Sequence, residues 1–319
     1  MKRSKKPTRK KVLVTGGSGY VGSVLLENLY KRGFAIRVLD IVPLQANTSP
    51  ILKKNIEFAL GDIRRVSTDI FDDVECIIHL AGISDEVSAN NNPELTREVN
   101  TIATINLAKR AKKAGVKRFI FASSSSIYDQ GMKKENEISN EESYVTPSGH
   151  YSTSKRKGEL GLLKILDKDF SIVILRKGTV FGHSAKMRWD LVVNAMIKSA
   201  ITQGKIRVFC EGLQWRPLLA IDDAAQAYIL SILAPAKKVS GQIFNIATDN
   251  FLIKDIATIV QKSLNKYFDI PSNIVFENSD RIARSYRVSS KRAKELFNFD
   301  TVTSIEKAVK KIVREEFKK

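Results

Sequence analysis

The chain has 319 residues, 43% apolar and 27% charged. These proportions lie near globular averages and suit one large domain or two smaller ones with a sizeable core. They exclude disorder, a collagen-like repeat and a small disulfide scaffold; the two cysteines, Cys76 and Cys210, cannot make a disulfide framework. Lys and Arg number 53 against 34 Asp and Glu, a formal charge of +19 that suits an anionic ligand.

The elements follow in chain order. Residues 1–10 form a basic arm with Lys2, Arg3, Lys5, Lys6, Arg9 and Lys10, and Lys11 extends the run. It reads as a solvated tail, with nucleic acid or anionic lipid as the other reading. No apolar segment resembles a secretory signal, and runs such as Phe170–Leu175 are too short to span a bilayer. A soluble cytoplasmic protein with no membrane partner is expected.

Lys11–Thr15 reads as a strand, followed by glycines and a helical pattern at Val21, Leu25, Leu26 and Leu29 that Gly33 ends. Ala35–Leu39, Ile56–Leu60, Cys76–Leu80, Arg118–Ala122 and Ser171–Leu175 read as further strands. Between them, Pro93 to Ala114 and Tyr151 to Leu166 read as helices. The alternation weakens after Gly178. Helices are expected over Met187–Thr202, Asp222–Leu233, Ile253–Leu264 and Ser304–Phe317, and Ile243–Ile246 is a short strand able to rejoin the main sheet. The fold class expected is α/β: a doubly wound parallel sheet over 11–178, with a smaller C-terminal substrate-binding region over 179–319 and segments near 220–247 returning to the first domain. Ligands of such sheets sit outside the carboxyl ends of the strands.

Thr15–Gly22 reads TGGSGYVG and carries glycines at 16, 17, 19 and 22. Glycines there permit a tight turn and close approach to a pyrophosphate, and the helix opened by Tyr20 and Val21 offers unpaired N–H groups to the same anion. The strand before and the helix and second strand after give this motif its expected context. Asp40 ends the second strand, where a carboxylate accepts from ribose hydroxyls and repels a 2′-phosphate, favouring NAD over NADP. Arg37 pulls weakly the other way. Asp62 and Ile63 after the third strand, and Leu80, Ala81 and Gly82 at the end of the fourth, complete the expected NAD cradle.

Tyr151 and Lys155 are four residues apart and share a helix face. A tyrosine titrating near 10 is a poor base at neutral pH, but a neighbouring ammonium and a nicotinium ring both favour its phenolate. Such a phenolate takes a proton from a sugar hydroxyl while hydride leaves the same carbon. The serine run Ser123–Ser126 lies at the end of the fifth strand, placed to hydrogen-bond the same oxygen.

With these motifs the chain resembles the extended short-chain dehydrogenase/reductases, in the NAD-dependent epimerase/dehydratase family acting on nucleotide sugars. The resemblance runs from Lys11 to the C-terminus. It rests on TGGSGYVGS, GDIR, HLAG, FASSSSIY, PSGHYSTSK and LRKGTVFG, and more weakly on GLQWRPLLAIDDAAQAY, FNIA and RSYRVSSKRAKEL. It implies a Rossmann fold and a homodimer through the helices near Pro93–Ala114 and Tyr151–Leu166. It also implies Tyr151 as catalytic base, Lys155 as its partner and holder of the nicotinamide ribose, Ser124 as catalytic hydroxyl, and Asn100 as the buried asparagine beside the cofactor. Ser126, Thr179 and Arg216 fall at substrate-contacting positions, with Arg216 on the diphosphate.

Departures are equally specific. Ser125–Ser126 stands where the family's dehydratases carry an Asp-Glu pair, Thr179 replaces an asparagine, and Pro217 and Ala220 replace an Asp and a His. Epimerisation of a nucleoside-diphosphate sugar, at C4 through a 4-keto intermediate, is therefore favoured over dehydration. A reductase of the same family, and a non-catalytic nucleotide- or RNA-binding member, are the other readings; nucleic acid is not the expected partner. Arg281, Arg284 and Arg287 are further phosphate candidates. His79 reads as a packed residue, Trp189 and Trp215 as core, and Asp222–Asp223 as helix N-caps. His150 and His183 are weak substrate candidates, and three scattered histidines give no metal site.

Overall fold

A computed structural model describes residues 10–128, 137–278 and 284–317. Most of the basic arm, and Arg281, lie outside the described residues.

The strands are β1 (Lys11–Thr15), β2 (Ala35–Asp40), β3 (Ile56–Leu60), β4 (Val74–His79), β5 (Arg118–Ser124), β6 (Ser171–Lys177), β7 (Thr179–Phe181), β8 (Lys205–Phe209), β9 (Trp215–Ala220), β10 (Gln242–Ile246), β11 (Asp249–Leu252) and β12 (Asn273–Glu277). The helices are α1 (Tyr20–Lys31), α2 (Pro50–Lys54), α3 (Glu86–Asn91), α4 (Pro93–Arg97), α5 (Thr104–Lys113), α6 (His150–Leu163), α7 (Val192–Gln203), α8 (Ile221–Leu233), α9 (Ala236–Val239), α10 (Ile253–Phe268), α11 (Lys291–Phe297) and α12 (Ile305–Phe317).

Seven strands form one sheet in the order β10-β6-β5-β4-β1-β2-β3. All of its pairings are parallel. Strands such as Phe119–Ala122 and Ile172–Leu175 are apolar at every position because both faces are covered. Val12, Val14, Ile78 and Ile120 pack under α1 and α8; Leu13, Ile77, Phe119 and Phe121 pack under α5 and α6. The strand order reverses between β1 and β4, so the crevice for a ligand opens above their carboxyl ends.

The C-terminal segments build a three-stranded sheet, β11-β9-β7, and a parallel pair, β12-β8. They share a core with α7, α10 and α12. Ile243–Ile246 does rejoin the large sheet, as β10 beside β6.

Two helices differ from expectation. The Pro93–Ala114 helix contains a π-helical turn at Glu98–Ala103, which carries Asn100. The Met187–Thr202 helix begins only at Val192. Arg188 binds Asp190 two residues on, and Asn194 Nδ2 donates to the Arg188 carbonyl, so the apolar spacing of Met187, Trp189 and Leu191 sits on an extended segment.

Candidate active site

The candidate residues gather at the carboxyl ends of five adjacent strands. After β1 the chain turns at Gly16, whose φ is +75° and whose side chain, had it one, would place Cβ 2.6 Å from the Ala81 nitrogen. Only glycine fits there. The turn leads to Gly19, the N-cap of α1, and the first-turn amides of Tyr20, Val21 and Gly22 have no carbonyl earlier in the helix to bond. An anion suits that end. The Tyr20 hydroxyl donates to the Gly182 carbonyl at 2.7 Å and accepts from Asn194 at 3.0 Å, so its side chain ties the turn to β7 and only its amide faces the crevice.

Asp40 is nearly buried at the end of β2. Its oxygens accept the N–H groups of Ser18 at 2.9 Å and Val42 at 3.2 Å, which leaves lone pairs for hydroxyls. Arg37 points away: it binds Glu57 and the carbonyls of Asp69, Ile70 and Asp72, so it is committed elsewhere and offers nothing to a 2′-phosphate. Asp62 follows β3 and pairs with Arg64, whose cation holds the Asp62 carboxyl below its ordinary range. Ile63 is buried beneath it. The amides of Leu80 and Ala81 both donate to the Thr15 carbonyl, closing the β1–β4 crevice from below.

Gly82 has φ +154°, and a Cβ there would fall 2.7 Å from Asn100 Oδ1 and 3.6 Å from Lys155 Nζ. Asn100 is fully buried and bridges Ile83, through both its N–H and C=O, to the Ser154 hydroxyl. The π turn thus locks the Gly82 loop to α6, the helix of Tyr151 and Lys155.

Ser124 ends β5 beside the Tyr151 phenol, whose ionised form its hydroxyl favours. The Ser126 hydroxyl lies 2.9 Å from that of Ser124. Lys155 Nζ stands 5.9 Å from the Tyr151 ring centroid and 5.0 Å from that of Phe121. Burial, and behind it the ammonium of Lys177, bring Lys155 down to about 7. Burial also pushes the Tyr151 phenol up to about 12, against the Ser124 hydroxyl, which lowers it. In the free chain burial outweighs the groups that favour the phenolate, so the expected lowering is not met without the nicotinium ring that the expectation also included.

Glu159 lies beneath this group, fully buried. It accepts from Ser123 Oγ at 2.6 Å and from Arg176 Nε and Nη2 at 2.9 and 2.8 Å. This pair fastens α6, β5 and β6 directly below Ser124.

Thr179 opens β7 next to Leu218 of β9. Arg216, on β9, donates to the carbonyls of Trp215 and Arg284. Arg287 stacks 4.7 Å from the Trp215 ring centroid, and Arg284 pairs with Glu86 at 3.4 Å. Trp189 packs edge-on against Phe317, and both tryptophans are half-buried rather than core. His79 is packed between Thr15 and Thr104 hydroxyls and held neutral, at about 3, by burial. His183 reaches Glu316 of α12, and His150 is exposed. Asp222 and Asp223 are not N-caps. They lie in the first turn of α8, where the dipole favours them, and Asp223 bonds Thr248 and the Val302 amide instead. Among the described residues no group of His, Cys, Asp or Glu is placed to hold a metal, and no helix is long and apolar enough to cross a membrane.

Arg188 at the site gave no sequence signal, and Tyr286 lay only within the weakly resembling RSYRVSSKRAKEL stretch. Arg188 bonds Ser84 Oγ at 2.7 Å and its charge lowers the Tyr151 phenol; Tyr286, nearly buried, raises it.

A reversing parallel sheet with a glycine turn at its switch point and a Ser-Tyr-Lys group beside it defines an extended short-chain dehydrogenase/reductase. The chain belongs to the NAD dependent epimerase/dehydratase family, whose model matches residues 12–247, and NAD is the cofactor. The Gly16–Gly22 turn, Asp40 and Gly82 fit that dinucleotide. The chain is 26% identical over 267 residues to a putative UDP-glucose 4-epimerase of Methanocaldococcus jannaschii, covering 81% of this chain and 80% of that one. It is 26% identical over 323 residues to a UDP-N-acetyl-alpha-D-glucosaminuronate decarboxylase of Bacillus cytotoxicus, covering 96% and 97%. A UDP-glucuronic acid 4-epimerase from Bacillus cereus, solved with UDP-glucuronic acid and NAD, superposes with a TM-score of 0.80 at 23% identity over 94% of this chain and 97% of that one.

Proposed function

We propose that the protein epimerises a nucleoside-diphosphate sugar at C4 through a 4-keto intermediate. Bound NAD supplies a reversible hydride acceptor and the positive ring whose charge favours the phenolate. Tyr151 takes the C4 hydroxyl proton, Ser124 holds the same oxygen, and Lys155 stabilises the ionised phenol. The keto sugar turns in the site, so that the hydride taken from C4 would return to its opposite face while the phenol gives its proton back to the same oxygen. Thr179, Arg216, Arg284 and Arg287 hold the sugar nucleotide, with the guanidinium groups suited to its diphosphate.

The observation that carries this reading is Ser124 acting on the Tyr151 phenol, with a second hydroxyl, that of Ser126, 2.9 Å from the Ser124 hydroxyl. Loss of water from the sugar needs a positioned acid and base. By resemblance Ser125–Ser126 stands in place of that pair, and hydroxyls serve proton exchange at one carbon.

The test is incubation of the NAD-loaded protein with a panel of nucleotide sugars, following epimers, product mass and reduced-cofactor absorbance together. An epimer of unchanged mass and no net reduced cofactor is expected. Tyr151→Phe should abolish turnover and keep NAD bound. A product lighter by water or carbon dioxide, or full activity in that variant, would refute the proposal.

A further inference from the structure

One carboxylate at the site is used neither by the dinucleotide cradle nor by the proton-transfer group. Glu86 opens α3, on the segment leaving β4, and its side chain is 16% exposed. Its Oε1 accepts the backbone N–H of Tyr151 at 3.0 Å. Its Oε2 faces Nη1 and Nη2 of Arg284, both at 3.4 Å. The Arg284 carbonyl in turn accepts from the Arg216 guanidinium. Gly149, the N-cap of α6, is without a side chain at the one place where a Cβ would meet Glu86 Oε1 at 1.8 Å. A first-turn amide that a local Ser or Asp would ordinarily satisfy is thus held by a carboxylate from another layer of the molecule.

We propose that Glu86 is a positioning residue joining the arginine arm that receives the substrate's diphosphate to the backbone of the proton-transferring tyrosine, an inference that rests on the nucleotide-sugar reading above. A diphosphate and Glu86 are both anions facing Arg284. Each weakens the other's hold on that guanidinium, and the coupling is reciprocal. When Arg284 turns to the diphosphate, Glu86 keeps only the Tyr151 amide, so binding at the arm is felt at the catalytic helix.

The carboxylate also bears on the phenol's charge. The groups around that phenol are Ser124 on β5, Lys155 on its own helix, Arg188 before α7, Tyr286 on the C-terminal segment, Tyr228 on α8 and Glu86 itself; Lys177 on β6 stands behind Lys155. Glu86 and Tyr286 oppose ionisation; Ser124 and Arg188 favour it.

Two readouts on the NAD-loaded full-length protein test this without needing turnover. One is UDP affinity by calorimetry. The other is the tyrosinate absorbance midpoint of Tyr151, taken as the difference from Tyr151→Phe. Glu86→Gln removes the charge and keeps an acceptor for the amide. It should bind UDP about fivefold more tightly, the low end of ordinary coupling between sites, and ionise Tyr151 at lower pH. Arg284→Gln should do the opposite on both counts, and it keeps the test decisive if the Glu86 variant does not fold. A merely structural Glu86 would change stability and leave both readouts in place. Unchanged UDP affinity or an unmoved midpoint in the folded variants overturns the inference, as does a wild-type protein that does not bind UDP. Failure of the epimerase reading registers separately: no sugar is turned over, while both readouts still move.

Discussion

Arg176→Met is the sharpest probe of what holds the site together. Arg176 and Glu159 are 1% and 0% exposed, and two nitrogens of the guanidinium meet the two carboxylate oxygens at 2.9 and 2.8 Å. A third nitrogen donates to the Tyr128 hydroxyl at 2.5 Å. Methionine fills the stem but leaves Glu159 charged in the interior, with Ser123 and Arg156 as its remaining donors. Breaking one partner of a buried pair costs about 3–5 kcal/mol, and Arg156 at 3.0 Å holds this case toward the lower end. Replacing both partners by methionine removes the stranded charge, so the double variant should be more stable than Arg176→Met alone. Urea unfolding of the wild type, Glu159→Met, Arg176→Met and the double variant gives the coupling energy directly. A cost under about 1 kcal/mol for Arg176→Met, or additive single effects, would show that the pair does not bear the charge burden assigned to it.

Stability of the NAD-free protein should rise with pH between about 7 and 9.5. Burial brings Lys155 and Lys177 to about 7 and about 8, below the ordinary lysine value of 10.5, so in that window the unfolded chain binds protons the folded chain has shed. Urea midpoints at pH 7 and 9 check this; Lys177→Met should flatten the rise, and a wild-type midpoint that falls with pH would contradict it. Asp40→Ser should weaken NAD by roughly 1–3 kcal/mol, the worth of charged hydrogen bonds to the ribose. NADP should gain no comparable affinity, because Arg37 is bound to Glu57 and three carbonyls. Titration with both dinucleotides measures it, and tight NADP binding by the variant would mean that Arg37 swings free.

The inner strands of the large sheet were legible because parallel strands buried on both faces are written as apolar runs, as β1 shows; β3, the exposed edge strand, fell on its expected residues through its β-forming composition instead. The glycine turn, Asp40 and Gly82 were legible because each answers a backbone or charge requirement that few residue types meet. The small C-terminal strands were not. Lys205–Phe209 does alternate, with Ile206 and Val208 inward, but over only five residues, and Asn273–Glu277 is short and mostly half-exposed; neither run is long enough to stand out from loop. Glu86 lies in an unmarked polar stretch, and its contacts with Tyr151 and Arg284 span 65 and 198 residues of sequence. No local spacing encodes such pairings; only the folding of distant segments against α6 creates them.

The electrostatics of the site make sense only with something added to it. Two amines and a phenol are buried together, and in the free chain each is pushed toward its neutral form: Lys155 and Lys177 downward, Tyr151 upward. A desolvated neutral site is a low-dielectric one, where a single added charge acts with more force than it would in water. The positive ring of NAD favours the phenolate, whereas the anionic diphosphate draws on the arginines across the crevice. In the proposed reaction each ligand therefore acts on a different group, and it is the positive ring, not the diphosphate, that turns the phenol toward a base. On that proposal Tyr151 is held neutral in the free chain and ionises under the charge the cofactor brings.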